Sequence, residues 1–221
     1  MMNTNIKTTT TQAVVINSVL KNTYQLLSAT LLFSGLMAYL SMALNLPHFG
    51  LLITLVGYFG LLFLTHKLRN SAMGIVAVFA LTGFMGLTLG PIISAYTSAF
   101  SNGAELVAMA MTGTGIIFLS LSFYAITSGK DFSFMSGFLT AGIIVAFLGG
   151  LGAYFFAIPA LSLAVSAAFI LLMSGLILFE TSNIIHGGET NYILATVTLF
   201  VSIYNLFLSL LQLLGVFSGE D

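Results

Sequence analysis

Residues 160–185 read ALSLAVSAAFILLMSGLILFETSNII, and after the break HGGETN (186–191) residues 192–217 read YILATVTLFVSIYNLFLSLLQLLGVF. The first run contains one charged residue, Glu180, and the second contains none. A helix crosses the hydrocarbon core of a bilayer with about 20 mostly apolar residues, so each run is long enough to span. The break between them suits a turn. Gly187 and Gly188 stop a helix, and His186 in its last turn favours the negative end of the helix dipole.

The same punctuation by charge, Pro, Asn and Gly divides the rest of the chain into five more spans. Span one covers Thr23 to Leu46 and ends at Asn45-Leu46-Pro47. Span two is Phe49 to Thr65, span three Ser71 to Ala99 with a kink expected at Pro91, span four Glu105 to Thr127, and span five Phe132 to Ile158. Spans six and seven are Ala160 to Ile185 and Tyr192 to Phe217. The expected fold is an all-α membrane protein of seven transmembrane helices. Residues 1–20, polar and Thr-rich at Thr8 to Thr11, read as a flexible tail, and residues 21–221 as a single transmembrane domain. The first apolar run is long enough to be retained as a helix, so no cleaved leader is expected.

Composition agrees. Of 221 residues, 58 % are hydrophobic and 5 % charged, where a soluble domain carries about 25 % charged residues. A mean hydropathy of +1.10 needs lipid as solvent. The net charge of −1 leaves no basic patch for nucleic acid. With no cysteine, disulfides and thiolate metal sites are excluded.

Charge also orients the chain. With seven spans, Lys7, Lys21, Lys67, Arg69 and Lys130, all five basic residues, fall on one side. The other side has Pro47-His48, Ser101-Asn102-Gly103, Pro159 and the acidic end Glu220-Asp221. The positive-inside rule then predicts a cytoplasmic N-terminus and an external C-terminus.

Small residues mark packing faces. Gly83, Gly86 and Gly90 share one face of span three, and Gly142, Gly149, Gly150 and Gly152 crowd span five. Such faces let helix backbones approach closely in lipid, where no hydrophobic effect drives association.

Polar groups within spans are the candidate functional residues. Glu180, six residues from His186, lies about 9 Å inside the rim at 1.5 Å per residue. A charge at that depth is costly, so the carboxyl group faces protein or water, or is protonated. On span seven Thr198, Ser202, Asn205, Ser209 and Gln212 recur at spacings of four and three, which places them on one helix face. Such a stripe avoids lipid and places span seven centrally. Interhelical hydrogen bonding and a water-lined path are equally compatible with it. The cytoplasmic rim would carry Lys67, Arg69, His186, Glu189 and Asn191. His66 and His186 fall short of the three or four protein ligands zinc takes, so no metal is assigned. No His-Glu-x-x-His, intramembrane-protease motif or P-loop occurs, and no catalytic residue, enzyme activity or cofactor is assigned.

The stretch Ser174 to Ile193, with Ala195 to Phe200 and Asn205-Leu206-Phe207, resembles the Bax inhibitor/YccA family, and most of all its bacterial YccA branch of FtsH protease modulators. Lys21 to Tyr24, Leu89 to Ile92 and Gly129 to Phe134 support the likeness. The resemblance implies three helical hairpins around a central seventh helix, and an inner-membrane protein that binds and restrains FtsH. Some members of the family are regarded as pH-sensitive calcium leak channels gated by two aspartates, which makes a calcium or proton leak the alternative. Here the two positions hold Glu180 and Ser202. Serine cannot share a proton with Glu180 as a second acid would, which weighs against conduction.

Overall fold

The computed structural model describes residues 2–219, with side chains described from residue 16 onward. The acidic end Glu220-Asp221 and the side chains of the Thr-rich segment, Lys7 included, lie outside the described residues. Seven α-helices follow one another: α1 (Met2–Ala43), α2 (Gly50–Leu68), α3 (Ala72–Ala99), α4 (Gly103–Ser128), α5 (Ser136–Phe155), α6 (Pro159–Ile185) and α7 (Tyr192–Ser218). A single 3-10 turn, Ser133–Met135, leads into α5. No strand occurs among the described residues. Each of the seven contains a stretch long and apolar enough to cross a membrane.

The expected spans and the helices agree within a few residues, and α3 continues through Pro91. The largest difference is at the start of span one. The apolar stretch of α1 begins at Ile16, ahead of the Thr23 boundary. Val19 is buried with Ile184 and Ala195, and Leu20 and Tyr192 pack against them. The neighbouring Asn17, Ser18, Lys21 and Asn22 hide that packing from a reading by hydropathy.

Helix ends follow local chemistry. Gly129 ends α4 in the left-handed region at φ 58°, with its N–H donated to the Ala125 carbonyl. Gly187, at φ 75°, ends α6, and Gly188 N–H returns to the Asn183 carbonyl. Glu105 sits in the first turn of α4, where the helix dipole favours an anion.

The chain forms two compact units, one of residues 1–94 and 183–200 and the other of residues 95–182 and 201–221. In the first, α1 packs on α3 through the predicted glycine face. A methyl group on Gly86 would collide with the Ser34 carbonyl oxygen. One on Gly90 would lie 2.5 Å from Ser41 Cβ, and one on Gly83 would lie 2.7 Å from the Phe33 ring. Phe33 in turn meets Phe79 edge-on at 5.3 Å. In the second unit, α5 packs on α6 through the other glycine cluster. A methyl group on Gly142 would lie 2.6 Å from Leu172 Cδ2, and one on Gly149 3.1 Å from Val165 Cγ2. Both clusters serve close helix approach, as their spacing indicated.

Burial ranks the helices. In the most apolar stretch of each helix, 56 % of the residues of α7 and 50 % of those of α3 are buried, against 28 % or less in each of the other five. A helix buried to that degree can carry polar side chains without presenting them to lipid.

Candidate functional site

Glu180 lies on α6 and is 5 % exposed, and Ser202 on α7 is fully buried. Both belong to the second unit. None of the stripe residues Thr198, Ser202, Asn205, Ser209 and Gln212 is exposed. Ser202 and Ser209 are buried and Thr198, Asn205 and Gln212 half-buried, as are the apolar residues on the other faces of α7 up to Leu214. The members of the stripe do different things. Gln212 bridges to α6: its Nε2 donates to Ser162 Oγ at 2.5 Å, and its Oε1 accepts from Ser166 Oγ at 2.7 Å. Asn205 Nδ2 donates to the Val201 carbonyl of its own helix at 2.8 Å. Ser209 is buried. Thr198 lies in the first unit, where it lines a pocket with Thr65 and His66.

The rim residues are organised by Asn191. Its Oδ1 accepts from Ile193 N at 3.0 Å and Leu194 N at 3.1 Å, which caps α7. Its Nδ2 donates to the Arg69 carbonyl at 3.0 Å and to Asn70 Oδ1 at 2.9 Å, which ties the start of α7 to the turn between α2 and α3. Glu189 Oε1 accepts from Asn191 N at 2.6 Å. Arg69 Nη1 lies 3.3 Å from His66 Nε2. Arginine has only donors, so Nε2 is the acceptor in this contact. Lys67 and His186 are exposed. Among the described residues no group of three or more His, Cys, Asp or Glu side chains could hold a metal ion.

Residues 16–219 match the family described as Inhibitor of apoptosis-promoting Bax1. The chain belongs to this family. Among its relatives, Modulator of FtsH protease YccA from Escherichia coli (strain K12) is 54 % identical over 93 % of this chain and 92 % of its own. An uncharacterized protein of Pseudomonas aeruginosa is 53 % identical over the same shares. An uncharacterized protein of Neisseria meningitidis serogroup A is 32 % identical over 93 % of each chain.

Three polar anchors in this family member escaped the reading of the sequence. Ser182 Oγ accepts from Phe132 N at 3.1 Å and donates to the Lys130 carbonyl at 3.0 Å, which pins the α4–α5 link to α6. Asp131 Oδ1 accepts from Ser133 N at 2.8 Å and starts the turn into α5. Ser162 and Ser166, four residues apart on α6, form the second half of the Gln212 bridge. Their i, i+4 spacing was a legible signal, since it places both on one face.

Proposed function

We propose that this chain is an inner-membrane protein that modulates the FtsH protease, as the name of its Escherichia coli relative says of that protein. One observation carries the reading: 54 % identity that runs through 93 % of this chain and 92 % of the relative. A second relative, from another Escherichia coli strain, is named an inner membrane protein. The basic residues support a cytoplasmic N-terminus and a C-terminus in the periplasm. The partner is the FtsH complex. Glu180, Ser202, Asn205 and Ser209 form the intramembrane polar site, and Lys67, Arg69, His186, Glu189 and Asn191 the cytoplasmic rim. The test is co-purification with FtsH in mild detergent, together with FtsH degradation of a membrane substrate with and without this chain in the same vesicles. Slower degradation with the chain present supports the reading. Unchanged degradation without co-purification overturns it.

A second reading, a proton or calcium leak, draws on the buried carboxyl group of Glu180 and the buried hydroxyl groups of Ser202 and Ser209 on α7. Intramembrane acids generally mark ion or proton routes. Calcium flux into vesicles holding only this protein separates the two readings.

A further inference from the structure

A pocket of about 490 Å³ opens beside the rim, entirely within the first unit. Its apolar wall includes Phe59 and Phe63 of α2 and Leu194 and Val197 of α7. Its polar end includes His66 and Glu189. Seven residues separate Phe59 from His66, so the wall descends about 10 Å from the polar end at 1.5 Å per residue. Phe63 is 71 % exposed, as a residue on a wall open to the bilayer would be. The volume lies within the roughly 300–1,000 Å³ of small-molecule sites. A whole helix about 10 Å across would fill roughly 800 Å³ over the same depth, more than the pocket encloses.

The polar end holds both signs of charge. His66 Nδ1 takes no part in the contact with Arg69, and the Arg69 guanidinium, 3.3 Å from Nε2, supplies positive charge. Glu189 supplies a carboxylate already oriented by Asn191 N. A carboxylate has about four lone-pair sites, so one hydrogen bond leaves acceptor capacity for an ammonium. A phosphate followed by a primary ammonium, joined to an acyl chain, matches this sequence of cation, anion and apolar wall. We propose that the pocket holds one aminophospholipid of the surrounding bilayer, its phosphate on His66 within the field of the neighbouring Arg69, its ammonium on Glu189 and an acyl chain along Phe59 and Phe63. A lipid with an anionic headgroup alone would place its charge near Glu189 without compensation. This inference is independent of the FtsH reading.

The chain has no tryptophan, so one introduced on the wall is a sole reporter. Phe63→Trp, an exposed position, is placed in phosphatidylcholine vesicles containing phosphatidylethanolamine or phosphatidylglycerol with brominated acyl chains. Phe59→Trp is a second reporter on the same wall. Phosphatidylethanolamine should associate about two- to fivefold more strongly than phosphatidylglycerol, the effect of one partly exposed ion pair. Glu189→Gln keeps the acceptor for Asn191 N and should abolish that preference. Equal quenching by the two lipids, or a preference that survives Glu189→Gln, overturns the proposal. So does an absence of quenching at both reporters, which would mean that a protein segment covers the wall.

Discussion

Ser41 on α1 donates a 2.8 Å hydrogen bond to the carbonyl of Leu87 on α3. Leu87 is four residues before Pro91, so its carbonyl is the one for which proline has no N–H to offer. In lipid a backbone group without a partner costs several kcal/mol, and helices tolerate proline where a neighbouring side chain re-satisfies the freed group. Gly90 makes this reach feasible, because a methyl group there would lie 2.5 Å from Ser41 Oγ. Glycine, proline and serine thus form one device at the α1–α3 contact. Ser41→Ala should destabilise the protein by about 0.6–2 kcal/mol, the range of hydrogen bonds within membrane bundles. In a Pro91→Ala background, where an N–H returns to Leu87, the same change should cost less. Thermal unfolding in detergent of the four proteins in this cycle measures the coupling, and additive effects would refute the link.

The glycine face predicts a graded outcome. Gly86→Ala drives Cβ into the Ser34 carbonyl oxygen, which is backbone and cannot swing aside. Overpacking of this kind costs about 1–3 kcal/mol. Gly35→Ala and Gly60→Ala meet nothing within 4 Å. These two should be neutral or gain up to about 1 kcal/mol from helix propensity. The melting temperatures of the three variants in one detergent check the order.

Asn191 combines a cap and a tether, and two substitutions separate them. Asn191→Asp keeps an oxygen for Ile193 N and Leu194 N but removes the donor to Arg69 and Asn70. Asn191→Ala removes both and should cost about 1 kcal/mol more, the usual worth of a cap. Hydrogen exchange of the first turn of α7 should rise in Asn191→Ala and stay low in Asn191→Asp. Equal exchange in the two would remove the capping role.

Glu180 and Ser202 test the leak reading. Glu180→Gln preserves shape and hydrogen-bonding capacity. If the carboxyl group serves as a neutral hydrogen-bonding acid, the variant should match the parent in thermal stability and in its effect on FtsH. If it is ionised beside a buried cation, the change strands that cation and should cost about 3–5 kcal/mol. Ser202→Asp supplies the second acid that the family resemblance implies. Two close carboxylates ionise as a coupled pair, so pH-dependent calcium flux should appear in vesicles where the parent gives none. Strong flux through the parent would show that Ser202 does not set the leak.

The number of spans and six of their seven starts were legible in the sequence, and the reason is one-dimensional. Each spanning helix satisfies its own backbone within about 20 residues, so its existence depends on a local run of apolar residues and local stops such as Gly129 and Gly187. The early start of α1 was not legible, because Val19 and Leu20 gain their burial from Ile184, Ala195 and Tyr192, more than 160 residues away in the chain. The partners of the polar groups were beyond the sequence for the same reason. That Ser41 serves Leu87, that Ser182 pins Lys130 and Phe132, that Gln212 bridges Ser162 and Ser166, and that Asn191 reaches Arg69 and Asn70 all depend on which helices are neighbours. The rim pocket was equally hidden, since its two walls come from α2 and α7. Hydropathy decides whether a segment enters the bilayer. Inside the bilayer every helix is similarly apolar, so only close packing of small residues and the pairing of polar groups decide which helix meets which.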